Sequence, residues 1–291
     1  MVERSTLEEQ LERIHLMQFY MLKEFDKFCK KNNLQYWLAC GSVLGAVRHN
    51  GFVPWDDDID VMMLRNDYEK MLELLPNELP GHLFLQTYKS DPEYPLFFSK
   101  IRMNNTIYQE KEYEGLDMHQ GVYIDIFPID YTSKFKIGQL YHRTKVYFYQ
   151  IIRKYKYKET VDRSQKYWLI KRIIHLIAKS IDRDVLYKRM YKTYTMFIKK
   201  TKNPLIVFFG IKGKKYIMSQ DTLIPAKYKE FMSIMAPIPN KYELYLTKLY
   251  GNYNELPPKE KRKPFLYHKI KYFRLSKDED IFFVDDHRST I

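Results

Sequence analysis

The chain has 291 residues, 45% of them hydrophobic, a formal net charge of +13 and a pI near 9.3. That much apolar material excludes a disordered chain. The two cysteines, Cys29 and Cys40, are not in a Cys-x-x-Cys and exclude a disulfide framework, and the absence of any run of about 18 uncharged apolar residues gives no expectation of a transmembrane helix.

Residues 5–31 predict a helix. Ser5 or Thr6 supplies the N-cap, with Glu8 or Glu9 at the matching capping-box position. Leu7, Leu11, Ile14, Met17, Met21, Phe25 and Phe28 recur every three or four residues and so share one apolar face. Asn32-Asn33 ends the run. The apolar stretch 34–39 predicts a buried strand, and GSVLGAVRHNG (41–51) a turn opening a short helix. DIDVMML (58–64) predicts a second strand, whose alternation puts Asp58 and Asp60 on one face and Ile59 and Val61 on the other. A helix over 67–75 is closed by Pro76 and Pro80. Strands are expected at 83–88 and 96–103, and GVYIDIFPID (121–130) predicts a further strand ending near Pro128. Over 134–202 the chain turns helical, aromatic and basic. The last segment, 215–291, carries a strand-like pair around Pro225 and Pro237, then a helix, YELYLTKLY, stopped by Gly251. This order predicts an α+β fold, a small mixed sheet with flanking helices followed by a mostly helical part.

Four aspartates, Asp56, Asp57, Asp58 and Asp60, fall within five positions. Carboxylates that close repel by about a few kcal/mol per pair when partly desolvated. A cation relieves the repulsion, and so does a solvated acidic loop. Asp58 and Asp60 project the same way, close enough to chelate one or two hard cations. Mg2+, which takes carboxylate and phosphate oxygens, is the expected ion, with Mn2+ as a substitute. A strand that is merely polar on one face is the plain alternative. Asp125, flanked by Ile124 and Ile126, is a poor strand former without a function and is expected as third ligand or general base. Asp130 reads equally as a turn or cap residue. Upstream, Gly41 and Ser42 present backbone N–H groups and a hydroxyl in the manner of a phosphate cradle.

A Gly-Ser turn, then Asp-x-Asp between apolar residues, then a later strand aspartate is the pattern of the nucleotidyltransferase superfamily. The stretches GSVLGAVRHNGFVPWDDDIDV, GVYIDIFPID and YLTKLYGNYNELPP, with a late His268, strongly resemble the LicD family of phosphocholine transferases, relatives of fukutin. Residues 134–202 match no motif of that family. The resemblance implies a nucleotidyltransferase-like core over 1–133, a basic helical region over 134–214, and a segment, 215–291, that packs on the core and completes the site. It implies that Gly41 and Ser42 hold the pyrophosphate of a CDP-linked donor, that Asp58 and Asp60 bind metal, that Asp125 is the third carboxylate, and that His268 is the late family histidine. The implied reaction moves phosphocholine from CDP-choline to a sugar hydroxyl of a cell-surface glycan precursor, of the teichoic acid or lipopolysaccharide kind, and releases CMP. CDP-ribitol, CDP-glycerol and CDP-ethanolamine are alternatives within that class.

The charge developing on CMP needs cations. Arg48 follows Ser42 by one to two helical turns, and Lys100 and Arg102 alternate to one strand face, as further cations or as a solvated basic face. His49 reads as a phosphate contact or a surface histidine. A choline headgroup wants aromatic faces, for which Tyr36, Trp37, Trp55, Tyr94, Phe97 and Phe98 are candidates or simply core. The basic block reads as a plain solvated helix face, as an interfacial helix on anionic lipid, or, third, as a nucleic-acid surface. With no leader visible, the expected location is the cytoplasm or the cytoplasmic face of a membrane, with an acceptor that is sometimes lipid-linked. Two other classes compete. A true nucleotidyltransferase would release pyrophosphate from an NTP, and a non-catalytic scaffold would lack the carboxylates.

Overall fold

The protein is described by a computed structural model for residues 6–164, 166–197, 204–208, 217–263, 270–276 and 282–283. Helix α1 (Leu7–Lys31) begins at a capping box, in which Thr6 Oγ1 accepts from the Glu9 N–H at 3.2 Å and Glu9 Oε2 accepts from the Thr6 N–H at 2.6 Å. Leu11, Ile14, Met21, Leu22, Phe25 and Phe28 are buried along it. Leu7, expected on that face, is 40% exposed, because the first turn overhangs the core. Then follow β1 (Tyr36–Leu38), α2 (Cys40–Arg48), β2 (Asp60–Leu64), α3 (Arg65–Leu74), β3 (Leu83–Gln86), β4 (Ser99–Met103), β5 (Ile107–Glu110) and β6 (Tyr123–Thr132). The basic block folds as α4 (Lys136–Lys156), α5 (Trp168–Ser180) and α6 (Arg183–Tyr194), and the chain continues through β7 (Leu205–Phe208), β8 (Ile217–Ser219), β9 (Lys227–Phe231), β10 (Ile234–Ile238), α7 (Tyr242–Tyr250), β11 (Ile270–Arg274) and β12 (Phe282–Phe283).

The architecture is α+β around a mixed seven-stranded sheet with β6 at its centre. Residues 125–129 of β6 run parallel to β2, residues 123–126 antiparallel to β4, and residues 129–132 antiparallel to β7. Strand alternation gives the sheet two unlike faces. Val61, Ile101, Ile124 and Ile126 enter one core with Leu22 and Phe25 of α1 and Tyr68 and Met71 of α3. The opposite alternation carries Asp60, Lys100, Tyr123, Asp125 and Phe127.

Several elements differ from expectation: β6 runs through Pro128 to Thr132, and β7 and β8 add two strands to the sheet that no sequence signal predicts. Strand β2 begins at Asp60, so Asp58 stands in the extended approach to it. Strand β5 has no apolar run to announce it; IYQE pairs with the distant β11 at the edge of a separate three-stranded sheet, where polar residues are tolerated. The expected pair near Pro225 and Pro237 is the β9–β10 hairpin. Helix α7 stops at Gly251, φ 73°, whose N–H donates to Thr247 O at 2.8 Å.

Helices α4–α6 have a small core of their own, from Val146, Ile152, Ala178, Leu186, Met190 and Tyr194 with Val207 of β7. Aromatic rings join it to the sheet part: Tyr187 stacks on Tyr88 with centroids 4.2 Å apart, and Phe97 meets Tyr194 at 4.7 Å. The helical block is thereby held over the polar face of the sheet, and a cleft of about 1250 Å³ lies between them.

Candidate active site

Strand register assembles the floor of the cleft. Asp60 and Asp125 are partners across the parallel β2–β6 pair, and Lys100 is the partner of Asp125 across β6–β4. Partners on adjacent strands point to the same face, so the three side chains form one polar row. Asp58 joins it from the approach to β2, and one carboxylate oxygen from each of Asp58, Asp60 and Asp125 lies within 4.8 Å of the others. All three residues are buried. At an effective dielectric of about 20, each such pair repels by roughly 3 kcal/mol. Lys100 offsets part of this, with Nζ 2.8 Å from Asp125 Oδ1 and 3.6 Å from Glu110 Oε1. Its ammonium also sits 3.2 Å from the centroid of the Tyr123 ring. A buried, all-oxygen cluster with surplus negative charge is a donor set suited to a hard divalent cation.

The acidic loop is held from behind by α1. His15 Nε2 lies 2.7 Å from Asp56 O, and Gln18 Nε2 donates to Asp57 O at 2.9 Å. Burial pushes the His15 imidazole below its usual range, so the neutral ring donates its Nε2 proton to that carbonyl. Tyr108 Oη donates to Asp57 Oδ2 at 2.8 Å. Asp57 thus braces the loop and does not line the cleft, whereas Asp56 and Asp58 do, although one carboxylate oxygen from each of the three lies within 4.8 Å of the others. The sequence carries a signal for these braces. Gln18 falls four residues after Ile14 and seven after Leu11, on the buried face of α1, where an amide needs a buried partner.

The Gly-Ser pair lies in the first turn of α2, beside the floor. A Cβ on Gly41 would run into the Asp56 carboxylate, so glycine is what lets that side chain lie against the helix start. Both groups of Ser42 assigned to phosphate are bonded within the protein. Its N–H donates to Ala39 O at 2.9 Å, and its Oγ accepts from the Asp60 N–H at 2.9 Å. The hydroxyl proton remains for donation. Ser42 thereby pins β2, and with it Asp60, to α2. Cys40 precedes them at φ 43°, a region costly for a residue with a Cβ, and its N–H donates to the hydroxyl of buried Tyr245 at 3.0 Å. Burial, then the charges of Asp60 and Asp58, push the Cys40 thiol well up, which keeps it protonated and unfit as a nucleophile.

The remaining expected residues divide. Arg48 lines the cleft, and its guanidinium also donates to Tyr253 O at 2.8 Å and Glu255 O at 3.4 Å. Lys100 lies at the floor, whereas Arg102 does not reach the cleft: it is buried, donating to Gln86 Oε1 and Gly121 O, each at 2.7 Å. Of the six aromatic candidates, Trp55 and Phe98 line the cleft. Tyr36, Trp37 and Tyr94 are core, and Phe97 belongs to the ring cluster with Tyr187 and Tyr194. Asp130 is neither turn nor cap. It is buried in β6 and paired to Arg65. His49 is partly exposed and accepts from Arg48 Nε at 3.0 Å. His268 lies outside the described residues. The cleft also brings in residues that no motif singles out: Glu110, Tyr113 and Tyr123 from the sheet side, and Arg153 and Lys154 from α4. Tyr123 is fully buried, and its hydroxyl makes no hydrogen bond among the described residues.

A parallel pair of carboxylate strands beside a Gly-Ser helix start, under a cleft lined by Arg48, Arg153 and Lys154, is an arrangement suited to an anionic, phosphate-bearing ligand. Residues 33–153 match the family described as LicD/FKTN/FKRP, nucleotidyltransferase domain. It is 27% identical over 271 residues to the lipopolysaccharide cholinephosphotransferase LicD of Haemophilus influenzae, which covers 90% of this chain and 97% of that protein. An uncharacterized protein of Rickettsia prowazekii is 38% identical over 58 residues, 20% of this chain and 22% of its own length. Mannosyltransferase regulator 4 of Saccharomyces cerevisiae is 30% identical over 117 residues, 39% of this chain and 10% of its own. The likeness to the Haemophilus enzyme runs nearly end to end, and the chain is a transferase.

Proposed function

We propose that the chain transfers phosphocholine from CDP-choline to a sugar hydroxyl of a cell-surface glycan precursor of the lipopolysaccharide or teichoic acid kind, with CMP as the leaving group. The observation that carries this reading is the register-matched pair Asp60 and Asp125, with Asp58, on the floor of a cleft large enough for a nucleotide donor and a sugar together. Asp58, Asp60 and Asp125 are the residues that would hold Mg2+, which supplies charge neutralisation at the diphosphate when bound. In the reaction the acceptor oxygen forms a bond to the phosphorus that carries choline. The bridging P–O bond to CMP breaks, and its electron pair leaves with CMP. Asp125, beside Lys100, takes the hydroxyl proton. Arg153 and Lys154 on α4, with Arg48, meet the charge that develops on CMP. Arg153 suits this role, because its Nη1 is anchored on Pro95 O while its Nε makes no hydrogen bond among the described residues.

The donor choice rests on the wall beside this floor. Trp55, Phe98, Tyr113 and Phe127 line the cleft together with Glu110 and Glu112, and the two carboxylates act electrostatically on Tyr113. Rings with nearby carboxylates suit a quaternary ammonium, which can be attracted but cannot donate hydrogen bonds. The polyols ribitol and glycerol would leave their hydroxyls against those rings.

The test is CMP release and choline incorporation from CDP-choline with Mg2+ and a lipopolysaccharide-type oligosaccharide, with CDP-ribitol, CDP-glycerol, CDP-ethanolamine and CTP run beside it. Asp60→Asn and Asp125→Asn are expected to slow turnover about a hundredfold or more, the scale of losing one preorganised charge at a reacting phosphate, while the variants melt as wild type does. Turnover of another CDP-alcohol in preference would move the donor assignment. Pyrophosphate released from CTP would replace this reading with nucleotidyl transfer.

A further inference from the structure

Helix α5 is turned inside out for a helix of a water-soluble surface. Leu169, Ile170, Ile173, Leu176 and Ile177 are each more than half exposed, while the small Ala178 is its buried residue. At about 100° per residue these five side chains fill an arc of roughly 120° that faces away from the protein. Arg172 and Lys179 stand exposed along one edge of the arc. Helix α4 repeats the arrangement, with Ile137, Leu140, Tyr141, Tyr147 and Phe148 all more than half exposed and Phe135, just before it, 76% exposed. Exposed apolar area on this scale marks a contact surface.

The charge around it selects the partner. Residues 134–202 hold 20 Lys and Arg against four acidic residues, so the block is more basic than the whole chain. A second protein copy would bring the same positive field and be repelled, whereas a bilayer with anionic headgroups supplies both an apolar layer and the opposite charge. With 13 residues, α5 is too short to cross a bilayer, and no helix among the described residues is long and apolar enough to do so. It can only lie in the interface. We infer that the exposed faces of α4 and α5 dock the protein on an anionic membrane surface. The docked face adjoins the cleft: Tyr147, on the exposed face of α4, lines it, as do Ile151 of α4 and Ile174, at the side of the exposed arc of α5. Docking therefore opens the cleft toward the headgroup layer, where a lipid-carried acceptor would lie. The inference goes beyond the proposed reaction and holds whatever the donor.

The experiment is co-sedimentation of the full chain with vesicles of phosphatidylglycerol and phosphatidylcholine, against vesicles of phosphatidylcholine alone. The variants are Ile170→Glu/Ile173→Glu/Ile177→Glu and Arg172→Glu/Lys179→Glu. All five positions are exposed and outside the cleft, so folding, checked by circular dichroism, and CMP release with a soluble acceptor are expected to match wild type. Wild type is expected to pellet with the anionic vesicles, with affinity falling as salt rises. The isoleucine variant should bind more than tenfold more weakly, and the charge variant should lose most of the preference for anionic lipid. Wild type that fails to pellet would overturn the inference, as would an isoleucine variant that pellets equally well. Self-association of wild type, abolished in the isoleucine variant, would make the face a subunit interface instead.

Discussion

His119, outside the cleft, shows how closely a single side chain can be tied to its protonation state. Its Nδ1 accepts from the Gly121 N–H at 3.0 Å and its Nε2 lies 2.9 Å from Asn104 Oδ1, which fixes the neutral tautomer with the proton on Nε2. The ring also stacks on Phe84, 5.4 Å between centroids. Burial, and then the Arg102 guanidinium, push its pKa down to about 4 from the usual 6.5. The folded-state pKa is therefore below the unfolded one. Between pH 6.5 and about 4 the unfolded chain binds the proton more readily, so the stability His119 contributes is full above 6.5 and lost as pH falls through that window. Urea midpoints measured at pH 7 and pH 5 are expected to fall more for wild type than for His119→Gln. Equal slopes would remove His119 as a source of acid sensitivity. No sequence pattern marks this residue, because its shift comes first from burial and then from Arg102 on β4, neither of which is local to it in sequence. Asp58 and Asp60 are different: period-two alternation already puts them on one face of the expected strand, whereas for Asp125 the sequence supplies only the flanking isoleucines, and its meeting with the other two depends on register.

Register itself separates what was legible from what was not. The first helix, the short strand before the Gly-Ser pair, β2, β6 and α7 all follow from local signals: a capping box, an apolar run, alternation, a C′ glycine. The partners of these strands do not, since parallel pairing of β2 with β6 depends on contacts made across more than sixty intervening residues. Asp130 illustrates the cost. Read after Pro128 it resembles a turn residue, yet β6 continues through the proline, whose missing N–H is tolerated where the β4 pairing stops short of it and that of β7 has not yet begun. Asp130 then lies inside the sheet, only 2% exposed, and binds Arg65 at the start of α3 in a two-pronged pair at 2.8 and 2.7 Å. Burial works against the Arg65 charge, but the Asp130 carboxylate more than offsets it and holds the guanidinium protonated. Removing one partner of such a pair leaves a buried charge alone, at a cost of about 3–5 kcal/mol. Arg65→Met is therefore expected to lower unfolding free energy by that amount in urea titrations, and Arg65→Met/Asp130→Leu to recover most of it. A single variant as stable as wild type would show the pair to be ornamental. Because α3 leaves directly from β2, its loss should loosen the strand that carries Asp60.

The whole chain contributes to the cleft from three stretches far apart in sequence: the sheet with its acidic loop, helices α4 and α5, and the segment from Tyr250 to Pro258 after α7. The sequence likeness to the Haemophilus enzyme spans all three, whereas the matched domain stops at residue 153, so the last stretch is attached to the site by structure that the domain alone lacks. Three hydrogen bonds make the attachment. Tyr245 of α7 receives the Cys40 N–H, and Arg48 at the end of α2 holds Tyr253 O and Glu255 O. Arg262 adds like charge near Arg48 and lies 5.8 Å from the Trp55 ring centroid, so this rim concentrates positive charge where the segment crosses the cleft mouth. On the proposed reaction, Arg48 would act on the donor in two ways, as a cation and as the clamp on a wall. Arg48→Ala is expected to raise KM for the donor about tenfold, or roughly 1.4 kcal/mol of binding, with a smaller change in kcat. The same variant should be cut faster by trypsin and chymotrypsin between residues 250 and 263, while its melting temperature stays near wild type because the bonds it loses lie at the surface. Arg48→Lys separates the two roles: it keeps the charge but cannot present the guanidinium fork to two carbonyls. If the clamp matters, lysine restores little of the KM and none of the protease resistance. If charge alone matters, lysine restores KM, and the alanine variant shows no increase in cleavage.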